Sequence, residues 1–222
     1  METSLKKKVV EISKRLYMRG LVAGAGGNVS AFMRNSGEIL ITPSGVCKGY
    51  LTPKDIVKID TNGNVISGKL RPTSEFSMHI VIYKIREDVN AIVHAHPPVS
   101  TGFACAGIAL DYSIHPEMVA MVGKVPLVKY VTPTTKELAE VVSRYAISAN
   151  ALLLKNHGVV TLGANLEQAY QRMELLEDFA KIVLIAKLLG KPKALPKAEI
   201  KKILNLESEK YRLKLVKEKQ SI

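Results

Sequence analysis

The stretch Ile92–Pro97, IVHAHP, decides how the rest of the chain is read. Ala91, Ile92 and Val93 form an apolar run of the kind that makes a buried strand, and side chains on a strand alternate faces with period two. His94 and His96 are therefore predicted to project to the same side, close enough for one metal ion to take a nitrogen from each. Pro97 and Pro98 stop the strand, leaving the pair at its end, where ligands can reach it. Leu152–Gly158, LLLKNHG, repeats the form: an apolar strand, then His157 and a glycine turn. A lone His-x-His reads equally well as two histidines capping turns; a third histidine in a matching context favours metal. His94, His96 and His157 together are the usual protein share of a catalytic zinc (Zn2+) site with an open fourth position. Manganese, iron or cobalt are possible substitutes on the same ligands.

Working outward, residues 4–19 carry Leu5, Val9, Ile12 and Leu16 at helical spacing, with Gly20 as C-cap. Gly24–Ser30, GAGGNVS, leads into a strand. Val29–Met33 and Glu38–Thr42 flank a turn at Asn35-Ser36-Gly37, and Ile56–Ile59 and Asn64–Ile66 flank Thr61-Asn62-Gly63; both read as hairpins. Residues 74–86 read as a helix with Thr73 or Ser74 as N-cap and Glu75 in its first turn. A helix from about 98 to 106, a short one over Pro116–Gly123, a strand over Leu127–Val131 and a helix capped by Thr134 follow. After the second histidine strand, Val159–Leu162 is predicted to pair back on it. The last third is helical, Leu166–Leu189 and then Pro196–Leu206. Hairpins first and strands separated by helices later predict an α/β or α+β chain, residues 1–222 as a single domain with a helical, lysine-rich C-terminal tail, built on a mostly antiparallel sheet.

The bulk properties narrow the function. Hydrophobic residues make up 47% of the 222, which excludes a disordered chain, and no stretch is long and apolar enough to span a membrane. The periodic, charged N-terminus does not read as a signal peptide, so a cytoplasmic location is expected. Cys47 and Cys105 match no ligand or redox spacing and are expected to be reduced thiols. The net charge of +12 owes much to the tail after Lys187. There is no tryptophan and no basic–aromatic interleaving, which argues against nucleic acid and for a solvated helical face.

Further chemistry-bearing residues lie on turns. Glu75 at a helix start is ordinarily a cap or a dipole partner. It follows Arg71-Pro72-Thr73-Ser74, whose hydroxyls and N–H groups suit phosphate, and an acid beside such a site and a metal suits a proton-transferring base. Gly26-Gly27-Asn28 and Thr42-Pro43-Ser44-Gly45 are two more donor-rich turns, consistent with an anion pocket. His79, at the spacing of Phe76 and Tyr83, is expected to be a packed or hydrogen-bonded core histidine. His115 precedes Pro116 and has no evident partner.

GAGGNVS, ITPSG, RPTSE, VHAHP and KNHGVV, in that order, resemble the class II aldolase/adducin family, in particular its L-fuculose-1-phosphate aldolase-like branch, over roughly Leu5 to Ala186. The resemblance implies a three-layer α/β/α sandwich and a homotetramer with active sites between subunits. It implies His94, His96 and His157 as zinc ligands and Glu75 as the catalytic acid/base. Asn28, Ser44, Gly45, Thr73 and Ser74 match the positions that bind the substrate phosphate, and Tyr211 matches a tail tyrosine reaching a neighbouring subunit's site. The implied reaction is reversible cleavage of a sugar 1-phosphate into dihydroxyacetone phosphate and a small aldehyde such as lactaldehyde. Pro116 and Pro133 depart from the branch where aromatic residues serve the aldehyde side, which leaves the second substrate open. A methylthioribulose-1-phosphate dehydratase and a sugar-phosphate 4-epimerase are the alternatives within the family; aspartate in place of Glu75 would be typical of the epimerases. An adducin-like scaffold, which loses the ligands, is the alternative of a different class.

Overall fold

The computed structural model describes residues 2–206. Helix α1 (Glu2–Met18) buries Val9, Ile12 and Leu16 and stops at Gly20, whose φ of +66° suits a residue without a Cβ. The Leu21 N–H then reaches back to the Leu16 carbonyl and the Gly20 N–H to that of Tyr17, closing the last turn. Strands β1 (Asn28–Met33) and β2 (Glu38–Ile41) form the first hairpin, and β3 (Val57–Asp60) and β4 (Val65–Ser67) the second. Helix α2 (Phe76–Ile85), strand β5 (Ala91–Ala95), helices α3 (Pro98–Cys105) and α4 (Pro116–Met121) and strand β6 (Leu127–Val128) follow. Helix α5 (Lys136–Ala146), strands β7 (Ala151–Leu154) and β8 (Gly158–Gly163), and helices α6 (Leu166–Leu189) and α7 (Lys197–Leu204) complete the described chain.

The strands make one eight-stranded sheet in the order β4-β3-β2-β1-β5-β8-β7-β6, antiparallel except for the β6–β7 pair. Period-two alternation sorts its side chains into two cores. Ala91, Val93, Ala95, Leu153 and Val159 face one layer with α1, α3 and α6, while Ile39, Ile41, Ile92, Leu152 and Val160 face the other with α2 and α5. The result is the expected three-layer α/β/α sandwich. Both faces of the central strands are covered, so β5, β7 and β8 are buried along their whole length and read as unbroken apolar runs.

Three local expectations are corrected. Helix α2 begins at Phe76, two residues later than predicted, so Glu75, not Thr73 or Ser74, holds the N-cap position, and no side chain caps it. Thr134 adopts φ +69° and cannot lead into a helix; Thr135 takes the cap, its Oγ1 accepting from the Leu138 N–H at 3.2 Å. The strand predicted over Leu127–Val131 ends at Val128. Its partner among the described residues, β7, runs out at Leu154, and the last rung is the Lys155 N–H on the Val128 carbonyl.

Candidate active site

Strand β5 lies between β1 and β8, which fixes what surrounds its last histidine. His94 pairs across β1 with Asn28 and across β8 with Val160, so its ring is fully buried. His96 stands just past the strand, its N–H on the Leu21 carbonyl at 3.1 Å. His157 comes from the β7–β8 turn, where Asn156 takes a left-handed φ of +57° and Gly158 opens the next strand. The ring centroids stand 4.9 Å apart for His94–His96, 4.7 Å for His94–His157 and 5.5 Å for His96–His157. One nitrogen from each ring lies within 4.8 Å of the others. The approach of the glycine loop to this cluster is close: a Cβ on Gly27, at φ +68°, would sit 2.6 Å from the His94 carbonyl.

Hydrogen bonding leaves His94 ready to ligate. Its Nδ1–H donates to the Val159 carbonyl at 2.9 Å, and its buried Nε2 has no hydrogen-bond partner. The Glu75 carboxylate fills the space beside it, Oε2 standing 3.3 Å from His94 Nε2 and Oε1 3.4 Å from His157 Nε2. Glu75 has turned inward instead of capping α2, and its φ of −98° and ψ of 13° lie in the sparsely populated bridge region. Asn28 Nδ2 donates to Glu75 Oε2 at 2.8 Å.

The electrostatics follow from burial and mutual repulsion. Burial, then the charge on His94 and on His157, lowers His96 to about 3; burial and His94 lower His157 to about 4. Burial acts downward on His94 as well, but the Glu75 carboxylate outweighs it and raises that ring. Burial would raise Glu75; His94, His157 and Asn28 together hold it well below the usual carboxylate range. Two neutral imidazoles and a third that keeps its proton only because of a carboxylate form a set that a divalent cation fits, replacing that proton. The three-nitrogen donor set with an orphaned buried Nε2 suits a borderline ion such as zinc.

The other expected residues fall into two groups. The turns Thr42–Gly45 and Arg71–Glu75 lie antiparallel, with Pro43 bridged to Pro72, the Ser44 N–H on the Arg71 carbonyl at 3.0 Å and the Thr73 N–H on the Thr42 carbonyl at 3.1 Å. Those two N–H groups are committed to the bridge, while the exposed Ser44 and Ser74 hydroxyls are among the donors these turns offer; Gly45 is exposed beside them and Thr73 is buried. Tyr211 lies outside the described residues. His79 is a buried, hydrogen-bonded histidine as expected, and His115 packs near Phe179, apart from the cluster.

Sequence reasoning passed over Lys48. It is 1% exposed, its Nζ donates to the Ala25 and Val46 carbonyls at 2.9 and 3.0 Å, and its N–H donates to Gly24 at 3.3 Å. Burial lowers its ammonium to about 8. A lysine in GVCKGY looks like any surface lysine; only the fold closes it over the glycine loop.

With this geometry in hand, comparison with known proteins is specific. Residues 7–184 match the model of the Class II Aldolase and Adducin N-terminal domain. The chain is 42% identical over 173 residues to an L-fuculose phosphate aldolase of Methanococcus maripaludis, covering 78% of this chain and 92% of that protein. It is 35% identical to a 5-deoxy-D-ribulose 1-phosphate aldolase of Bacillus thuringiensis, covering 89% and 92%. It is also 35% identical to a 3-oxo-tetronate 4-phosphate decarboxylase of Escherichia coli, covering 83% and 88%. A solved L-fuculose 1-phosphate aldolase superposes with a TM-score of 0.86 at 37% identity, covering 94% of this chain and 96% of that one. The chain belongs to the class II aldolase/adducin family, on its enzymatic, aldehyde-lyase side.

Proposed function

We propose that the chain is a divalent-metal aldolase, with zinc as the first metal to try, that reversibly cleaves a ketose 1-phosphate of the L-fuculose 1-phosphate type into dihydroxyacetone phosphate and a small aldehyde such as lactaldehyde. The observation that carries this reading is the inward-turned Glu75, whose two oxygens lie 3.3 and 3.4 Å from nitrogens of His94 and His157. A base held in contact with a trihistidine set is what proton removal beside a polarised carbonyl requires. The L-fuculose phosphate aldolase relative at 42% identity supports the substrate class.

His94, His96 and His157 would hold the metal, which supplies electrophilic stabilisation to the negative charge that develops on the substrate oxygens. Glu75 removes the proton from the hydroxyl-bearing carbon of dihydroxyacetone phosphate in the condensation direction. In the cleavage direction it returns that proton. Its low proton affinity keeps it ionised and ready at neutral pH. Ser44, Gly45 and Ser74 on the paired turns receive the phosphate, with Thr73 buried behind them and Asn28 beside them turned to Glu75. The aldehyde side is furnished by other elements, Tyr211 and neighbouring subunits of a four-fold homotetramer in this reading.

A second reading has its own support in the decarboxylase relative. A 3-oxo acid phosphate that loses its carboxylate as carbon dioxide leaves the same enediolate that Glu75 would otherwise make by taking a proton. Both readings therefore expect the protein, loaded with zinc, to exchange a proton of dihydroxyacetone phosphate stereospecifically with heavy water, followed by NMR. They part on the next step. Aldol product from added lactaldehyde supports the aldolase, and carbon dioxide release from the 3-oxo acid with no aldol product supports the decarboxylase. No exchange from protein that holds its metal would overturn both.

A further inference from the structure

Behind Glu75 the interior is not apolar. Asn28 and Ser30 lie two apart on one face of β1, and His79 and Tyr83 lie four apart on the facing side of α2, so two strand positions meet two helix positions in step. The four are at most 2% exposed. They make an unbroken row: Asn28 Nδ2 to Glu75 Oε2 at 2.8 Å, His79 Nε2 to Asn28 Oδ1 at 2.5 Å, Ser30 Oγ to His79 Nδ1 at 2.7 Å, and Tyr83 OH to Ser30 Oγ at 2.6 Å.

The direction of every bond in the row is determined. A carboxylate only accepts, so Asn28 turns its NH2 to Glu75 and its carbonyl oxygen to His79. His79 Nε2 must then carry the proton. Burial and the nearby charge on His94 keep His79 neutral, lowering it to about 3, so Nδ1 is bare and accepts from the Ser30 hydroxyl. With its hydrogen committed, Ser30 accepts from the Tyr83 hydroxyl, and burial pushes that phenol up, keeping it protonated. All four donors point toward Glu75. The row ties down Oε2, while Oε1 is buried with no hydrogen-bond partner.

We propose that His79, held in one tautomer by Ser30 and Tyr83, is a positioning residue that locks the Asn28 amide so that Glu75 Oε2 is fixed and Oε1 is the oxygen that takes the substrate proton. In that step the C–H bond breaks, its electron pair passes into the enediolate and the proton goes to Oε1. The inference rests on Glu75 being the base. Without the row the Asn28 amide is free to rotate by half a turn, which would bring its oxygen against the carboxylate and swing the carboxylate off line.

The test is kinetic and spectroscopic. Long-range proton–nitrogen NMR of the full chain should find His79 protonated at Nε2 and bare at Nδ1, and Ser30→Ala should mix the two tautomers. His79→Leu should slow exchange from dihydroxyacetone phosphate by about 10- to 100-fold in kcat, with KM and metal content unchanged. His79→Gln, whose amide N–H can stand in for Nε2–H, should recover most of that loss; Tyr83→Phe and Ser30→Ala give graded, smaller losses if His79→Leu fails to fold. An Nδ1-protonated His79, equal losses in His79→Leu and His79→Gln, or kcat unchanged in the variants that fold would overturn the proposal. If wild-type protein holding its metal does no exchange, Glu75 is not the base; exchange that ignores the variants removes the row alone.

Discussion

Gly158 and His96 are in direct contact: a Cβ built on Gly158 would lie 2.6 Å from the His96 ring and 2.6 Å from the Ala95 carbonyl. The β7–β8 turn can bring His157 beside the other two imidazoles only because this position has no side chain. Gly158→Ala must push the turn or the ring away, since one obstacle is a backbone carbonyl and the other the His96 ring. Metal content, measured on the purified variant, should fall below half that of the wild type, with a stability loss of about 1–3 kcal/mol in thermal unfolding. Full metal content would mean that the turn has slack the geometry does not suggest.

Glu75→Gln separates base from helix start. The Gln side chain keeps the size of the carboxylate and an oxygen for the Asn28 amide, but has no proton affinity. Bound metal should stay and kcat should fall by about 10³-fold or more, with little change in KM. A near-wild-type rate would reduce Glu75 to a residue that begins α2. His157→Ala, by contrast, should act on the metal first, lowering its stoichiometry; unchanged stoichiometry would take His157 out of the ligand set.

Metal removal should expose the Glu75–His94 pair. Glu75 is depressed, so its contribution is present above its ordinary value of 4.5 and is lost as pH falls through the lowered one. His94 is raised, so its contribution is present below its ordinary value of 6.5 and is lost as pH rises through the raised one. Chelated protein should therefore lose thermal stability as pH climbs above 6.5, where His94 sheds the proton that balances Glu75. Protein reloaded with zinc should not, because the cation takes the place of that proton. Parallel Tm–pH curves for the two forms would contradict this.

Lys48 should trade stability for ligand binding. Its ammonium is lowered from 10.5 to about 8 by burial, so the fold disfavours the charged form. The penalty is complete below about pH 8 and is relieved as pH rises toward 10.5, a gain on the order of 3 kcal/mol for the wild type that Lys48→Met would lack. Denaturant titrations at pH 7 and pH 10 would show the wild type gaining on the variant. Losing the Lys48 Nζ bonds to the Ala25 and Val46 carbonyls should also raise KM for the phosphorylated substrate by about 10-fold, the worth of one or two lost hydrogen bonds. An unaltered KM would confine Lys48 to the stability of the loop.

Much of this arrangement can be read along the chain, where the chemistry is local. His94, His96 and His157 each sit at the end of an apolar run, and Gly20 and Gly27 mark turns with positive φ. What escapes reading is what depends on two elements at once. The pairing of Asn28 and Ser30 with His79 and Tyr83 needs a strand of period two laid on a helix of period 3.6, and nothing in either segment announces the other. Glu75 is legible as a candidate base; what the sequence does not show is its inward turn, because its partners His94 and Asn28 are distant in sequence. Lys48 is hidden for the same reason: its acceptors, Ala25 and Val46, become neighbours only when the glycine loop folds back.

The order of strands around β5 carries one more consequence, for the history of each molecule. Asn28 comes from the first strand, Glu75 from the approach to α2, and His157 from the turn before the last strand, all converging on one strand in the middle of the sheet. The three nitrogen donors alone span His94 to His157. A polypeptide leaving the ribosome can therefore finish its histidine cluster only after the β7–β8 turn has emerged and β8 has paired with β5.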